Sequence, residues 1–219
     1  MSTHFTGQLG RAAGALVGLG LIGIVACGLV KRGNEVAAIK AIERKGGFVE
    51  ISQKGPRWFA GLFGDYYPFR RVFLVELGFG NSDADVKVIE SLPQAKMVFL
   101  NGTTVRGPGL AVLSSLRALQ FVDLTQSDIT DEGLQYLDGI QTLQRLGLAR
   151  TKISDAGLAH LRSCVNLREL DLEGTAVTDA GLYHLESAPL KRLDIRGTLV
   201  TSKGISWAKR NWPGLEIVQ

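Results

Sequence analysis

A chain of 219 residues, 45% hydrophobic and with a formal charge of +4, has room for one repeat domain and little more. Its basic balance comes without a Lys/Arg stripe or a basic run interleaved with aromatics, so no nucleic-acid partner is expected. Cys27 and Cys164 are the two cysteines, too few for a disulfide-stapled scaffold.

Residues 1–11 form a short tail. From Ala12 to Val30 no charge occurs, close to the roughly 20 residues that a helix needs to cross a bilayer core. The expected element is a single transmembrane helix over 12–30. A cleaved signal peptide is one alternative, and a lipoprotein is another, because Ile24-Val25-Ala26-Cys27 resembles a lipobox. Lys31 and Arg32 close the apolar run and favour an uncleaved anchor. The excess of Lys and Arg after the run places the rest of the chain on the cytoplasmic side, with the extracytoplasmic side the alternative. Gly14 and Gly18 have the small-xxx-small spacing that lets two spans meet as a homodimer.

Residues 31–71 read as an N-terminal cap. Asn34 is the expected N-cap of a helix running to about Lys45, Gly46 its stop, and the run from Phe48 alternates as a strand does. The segment from Gly55 to Phe69 holds Trp58, Phe59, Phe63, Tyr66, Tyr67 and Phe69, and reads either as packing on the coils that follow or as an exposed binding or membrane-surface loop.

From Val72 to Gln219 the chain repeats itself. The first apolar position of each unit falls at Val72, Ala95, Leu119, Leu143, Leu167, Leu190 and Leu215, and steps of this size mean stacked coils. Within a unit, alternate residues such as Leu170 and Leu172 point to one side of a short strand. Thr103, Ser127, Thr151, Thr175 and Thr198 follow where the chain leaves the strand, as a buried ladder that supplies partners to backbone groups. Thr130, Ser154, Thr178 and Thr201 then stand as helix N-caps, with Asp131, Asp155 and Asp179 in the first turn, at the positive end of the dipole. Leu134 with Leu137, Leu158 with Leu161, and Leu182 with Leu185 form the inward helical face.

This pattern of a strand, a Gly-Thr turn and a "TDAGL" helix resembles the leucine-rich repeat. It is similar to the subclass with cysteine-containing repeats in F-box proteins and to bacterial, planctomycete-type repeat proteins. No F-box-like segment precedes the repeats, so no ubiquitin-ligase role is expected. The fold class is α/β: a leucine-rich-repeat solenoid over 72–219, with parallel strands on its concave face and short helices on its convex face, preceded by the transmembrane helix.

Outward strand positions predict three columns on the concave face. Met97, Phe121, Arg145, Glu169 and Arg192 lie in the first, Phe99 and Asp171 in the second, and Arg196 in the third. An apolar patch beside charged residues suits a protein or peptide partner. These eight are the expected contact residues of a membrane-anchored interaction module. The alternative is a self-assembling structural protein of the envelope, or an exported lipoprotein, with the same domain. Asp123, Asp171 and Asp194 share a column, but Gly147 interrupts it and no calcium-ligand spacing appears. His160 and His184 lack the further ligands zinc needs, and no catalytic grouping or phosphate loop is recognisable. Neither cofactor, metal nor enzymatic activity is expected.

Overall fold

The computed structural model describes residues 33–53 and 70–219. Eight strands form one sheet in sequence order: β1 (Phe48–Gln53), β2 (Arg70–Glu76), β3 (Met97–Phe99), β4 (Phe121–Asp123), β5 (Arg145–Gly147), β6 (Glu169–Asp171), β7 (Arg192–Asp194) and β8 (Glu216–Val218). From β2 to β8 every pairing is parallel, and β1 is antiparallel to β2. Each coil runs up its strand, turns, and returns on the other side through a short helical segment. Two of these returns, Asp155–Ala159 and Asp179–Tyr183, are α-helical, whereas Pro108–Ser115 and Glu132–Leu137 are 3-10. The last, Ser202–Asn211, is the longest.

The interior is shared between neighbours, as a stack requires. Leu146, Leu170 and Leu193 pair in register across β5, β6 and β7 and are at most 2% exposed. The hydroxyl ladder is present. Thr103, Ser127, Thr151, Thr175 and Thr198 each donate through the side chain to the carbonyl three residues earlier, at 2.6–2.8 Å. Asn81 is a further member that sequence reasoning missed: its Nδ2 donates to Gly78 O at 2.7 Å. The residue before each hydroxyl takes a left-handed backbone, supplied by glycine at 102, 174 and 197 but by Gln126 and Arg150 in between.

Coils are tied to one another by a carboxylate. Asp155 Oδ1 accepts the N–H of Thr178 at 2.8 Å and its Oδ2 accepts the Thr178 hydroxyl at 2.6 Å. Asp131 does the same for Ser154 and Asp179 for Thr201. The aspartates expected only to favour the helix dipole therefore also bridge to the next coil. The capping role is present as well, since Ser154, Thr178 and Thr201 accept the N–H two residues on. Glycine is forced beside each clamp. A Cβ on Gly181 would lie 2.4 Å from Asp155 Oδ1, and those on Gly157 and Gly204 would meet Asp131 and Asp179 as closely.

Residues 33–44 are helical and bury Ala38 and Ile42 against the first coil. Asn34 lies inside this helix rather than capping it, because Gly33 is already helical. Gly46 follows the helix with φ +76°. Lys45 pairs with Asp85, and that contact, with the Ser82 backbone N–H, holds the Asp85 carboxyl down at about 2.

One part of the expected fold class is corrected. The solenoid stands, but among the described residues no helix is long and apolar enough to cross a membrane. The segment 12–30, Cys27, Gly14 and Gly18 lie outside the described residues, as does the aromatic stretch from Gly55 to Phe69.

Alanine for glycine inside a helix normally stabilises by about 1 kcal/mol. At Gly181 the sign should reverse, because the new methyl displaces a carboxylate whose hydrogen bonds contribute about 1.5–3 kcal/mol each. Urea denaturation of Gly181→Ala is expected to show the loss, and an Asp155→Ala background should remove most of it. Conversely, Gln126→Gly should stabilise by about 0.5–1 kcal/mol, since it relieves a left-handed L-residue.

Candidate functional site

The sheet has one face turned inward to the core and one outward, and strand register decides what the outward face presents. Leu74, Met97, Phe121, Arg145, Glu169, Arg192 and Glu216 pair successively across β2 to β8 as one row. Glu76, Phe99, Asp123, Gly147, Asp171, Asp194 and Val218 form the next. Residues Met97, Phe121, Arg145, Glu169 and Arg192 thus fall in the first row, Phe99 and Asp171 in the second. Arg196 lies just beyond the exit of β7.

Sequence reasoning missed both ends of these rows. Phe48 pairs with Glu76 and Glu50 with Leu74, so the antiparallel β1 extends the outward face by an exposed phenylalanine and a carboxylate. Glu216 and Val218 extend it at the other end. The signals were the alternation after Phe48 and the seventh apolar position at Leu215.

At the N-terminal half, the rings of Phe99 and Phe121 meet edge to face with centroids 4.9 Å apart, a favourable geometry for their quadrupoles. Both are half-buried, like Met97. Phe79 is 80% exposed at the strand-exit edge, its ring lying over the bare backbone of Gly102.

At the C-terminal half the charges are paired among themselves. Arg196 Nη2 reaches Glu173 at 2.6 Å and Asp194 at 2.7 Å. Arg150 holds the other oxygen of Glu173 at 2.9 Å. Arg145 pairs with Glu169 and Arg192 with Glu216, both at 3.1 Å. Burial raises the Asp194 carboxyl, but the hydrogen bonds and charge of Arg196 outweigh it and the net shift is downward. Asp171 moves the other way: burial raises it, Asp194 and Glu173 push in the same direction, and the Glu173 N–H and Arg196 only partly oppose them. Asp123, Asp171 and Asp194 each accept the N–H two residues on, which fixes their carboxylates over the strand exit.

Among the described residues no group of three or more His, Cys, Asp or Glu side chains could hold a metal ion. His184 Nδ1 lies 3.1 Å from Arg162 Nη2 on the convex side. Cys164 is buried, and loss of solvation, with the nearby Asp138 charge, raises its thiol to about 11. Such a thiol is a core residue rather than a nucleophile.

A family model described as "Leucine Rich repeat" matches residues 115–137 and 163–185, the helical returns and the hydroxyl-ladder coils just described. The coils are leucine-rich repeats. Repeats of this family generally serve as protein–protein interaction modules, through the extended curved surface that stacking produces. No curated protein matches the chain. Among solved structures the chain is similar to an internalin C2 from Listeria monocytogenes, with 24% identity over 61% of this chain and 55% of that one and a TM-score of 0.48. It is similar also to an internalin, inlF, from Listeria monocytogenes, with 13% identity over 61% of this chain and 37% of that one and a TM-score of 0.49. The leucine-rich-repeat chain therefore spans 55% and 37% of the lengths of these two structures.

The raised Asp171 carboxyl gives a signed expectation. A carboxyl raised on folding opposes the native state above its unfolded titration range, and that cost is relieved as pH falls through its native one. Asp171→Asn keeps an acceptor for the Glu173 N–H, so it should raise the thermal midpoint at neutral pH, with the difference vanishing in acid. Thermal melts across pH 3–8 check it.

Proposed function

We propose that this leucine-rich-repeat domain binds a protein or peptide on its concave sheet, through Met97, Phe99, Phe121, Arg145, Glu169, Asp171, Arg192 and Arg196. The observation that carries the reading is the Phe99–Phe121 pair on the outward side of a sheet whose other side is the core. Rings on the solvent side of a soluble sheet contribute little to folding, whereas aromatic anchors beside a charged rim are the usual energetic centre of a protein interface. The mechanism is recognition, with no bond made or broken. The apolar half supplies desolvation energy and the paired charges supply selectivity.

Site-specific photocrosslinking tests it. A benzophenone side chain placed at Phe121 or Arg145 should give one discrete adduct in cells, while the same group at the exposed convex residues Arg162 or Glu186 should not. A Met97→Ala, Phe99→Ala, Phe121→Ala triple variant, probed from Arg145, should lose the adduct by about tenfold or more, as removal of anchor residues does. Equal adducts from both faces, or adducts from the convex face alone, would sink the assignment.

A further inference from the structure

The outward sheet is not evenly charged. Among the described side chains, the guanidinium groups of β5, β7 and the β7 exit are engaged with carboxylates of the same face: Arg145 with Glu169, Arg192 with Glu216, Arg196 with Asp194 and Glu173. The second row carries Glu76, Asp123, Asp171 and Asp194 and no base. Among the described residues Glu76, Asp123 and Asp171 form no ion pair, and Asp123 and Asp171 accept backbone N–H groups only. This is a segregation, since the whole chain carries +4.

Geometry makes the unneutralised carboxylates a place for a side chain. Glu76 and Asp123 flank Phe99 in the same row, so the aromatic anchor has an acid on each side. Between Asp123 and Asp171 stands Gly147, so no side chain separates the two acids; its buried backbone is covered by the Asp123 carboxylate, which a Cβ there would meet at 2.6 Å. Two strand spacings put the Asp123 and Asp171 backbones about 10 Å apart. An ammonium or guanidinium on a long apolar stem suits such a slot, with its stem against the rings and its charge between the acids. A second acidic partner would find three unpaired like charges there.

On the reading given above, we infer that the partner presents an extended basic peptide: an apolar residue seated on Met97, Phe99 and Phe121, and lysine or arginine side chains directed to Glu76, Asp123 and Asp171. The acids lie in one row and the apolar residues in that row and the adjacent one, so a strand or polyproline-like segment lying across the sheet reaches both. Selectivity comes from exclusion as much as attraction, because an acidic segment of the same hydrophobicity meets carboxylates that have no cation paired with them.

Fluorescence anisotropy with the full chain tests this with two short labelled peptides, one alternating Lys and Leu around a central Phe, the other with Glu in place of each Lys. The Lys peptide should bind at least about tenfold tighter, and lose affinity as salt rises from about 50 to about 300 mM. An Asp123→Asn, Asp171→Asn variant, isosteric and able to keep the Thr125 and Glu173 N–H contacts, should weaken it by about tenfold, while Glu90→Gln, Glu186→Gln should leave it unchanged. Equal affinity for both peptides, no binding of either, or indifference to the Asp123 and Asp171 changes overturns the basic-partner inference. Phe121→Ala separates the two failures: if it weakens both peptides, the concave face is still the binding surface and only the charge preference falls; if it weakens neither, the concave reading falls with it.

Discussion

A coil that cannot bury its own apolar side must be held at a fixed distance and rotation from its neighbour, and in this chain a carboxylate does the holding. Asp131, Asp155 and Asp179 each accept both the N–H and the hydroxyl of the residue that caps the next coil's helix. Hydrophobic contact alone is non-directional and would tolerate sliding. Two charge-assisted hydrogen bonds at each of these three rungs do not. The Thr201 hydroxyl and N–H lower the Asp179 carboxyl, so this clamp is a feature of the ionised state and weakens as pH falls through that lowered titration.

Uniform stacking leaves side chains along a row free to differ without cost to the fold. Leu146, Leu170 and Leu193 are interchangeable units of core, whereas Phe121, Arg145 and Glu169, one position away, are as unlike as three residues can be. A sheet stabilised by its outward face would show cross-strand regularity there. The arginine pairs partly provide it in the C-terminal half, but exposed pairs contribute only about 0–1 kcal/mol each, so stability does not explain the choice of residues. Variation on one face and monotony on the other is the division expected of a scaffold that presents a surface.

Much of this was legible beforehand, for a reason internal to repeats: each unit supplies an independent reading of the same position. The outward rows, the hydroxyl ladder from Thr103 to Thr198 and the inward leucines all follow from the period. What escaped was whatever joins residues far apart without a mark on either. Asp155 looks like an ordinary first-turn acid, and nothing at that position shows that its oxygens reach Thr178. Gly181 looks like a poor helix residue until the carboxylate beside it is seen. Asn81 was hidden because the first coil has one more residue than the others between strand and ladder, so amide replaced hydroxyl out of phase. Phe48 and Glu50 were read as a strand, but the long connection before β2 concealed that the strand runs antiparallel beside it. The arginine pairings depend on long side chains crossing between strands, which spacing does not specify.

One junction lacks the clamp, and it coincides with the apolar half of the outward face. Where the coils on either side have Ser82-Asp83 and Thr130-Asp131, the coil beginning at Ala95 has Arg106-Gly107, and Thr130 reaches only the carbonyl of Arg106, through N–H and hydroxyl, at 3.4 Å each. Compensation is steric. Gly107 adopts φ +148°, and a Cβ on it would lie 2.3 Å from the Gly133 Cα, so here two backbones touch where elsewhere a carboxylate intervenes. On the far side of the same junction the Phe99 and Phe121 rings bridge β3 and β4. At this rung close backbone contact lies behind the sheet and the two rings lie in front of it.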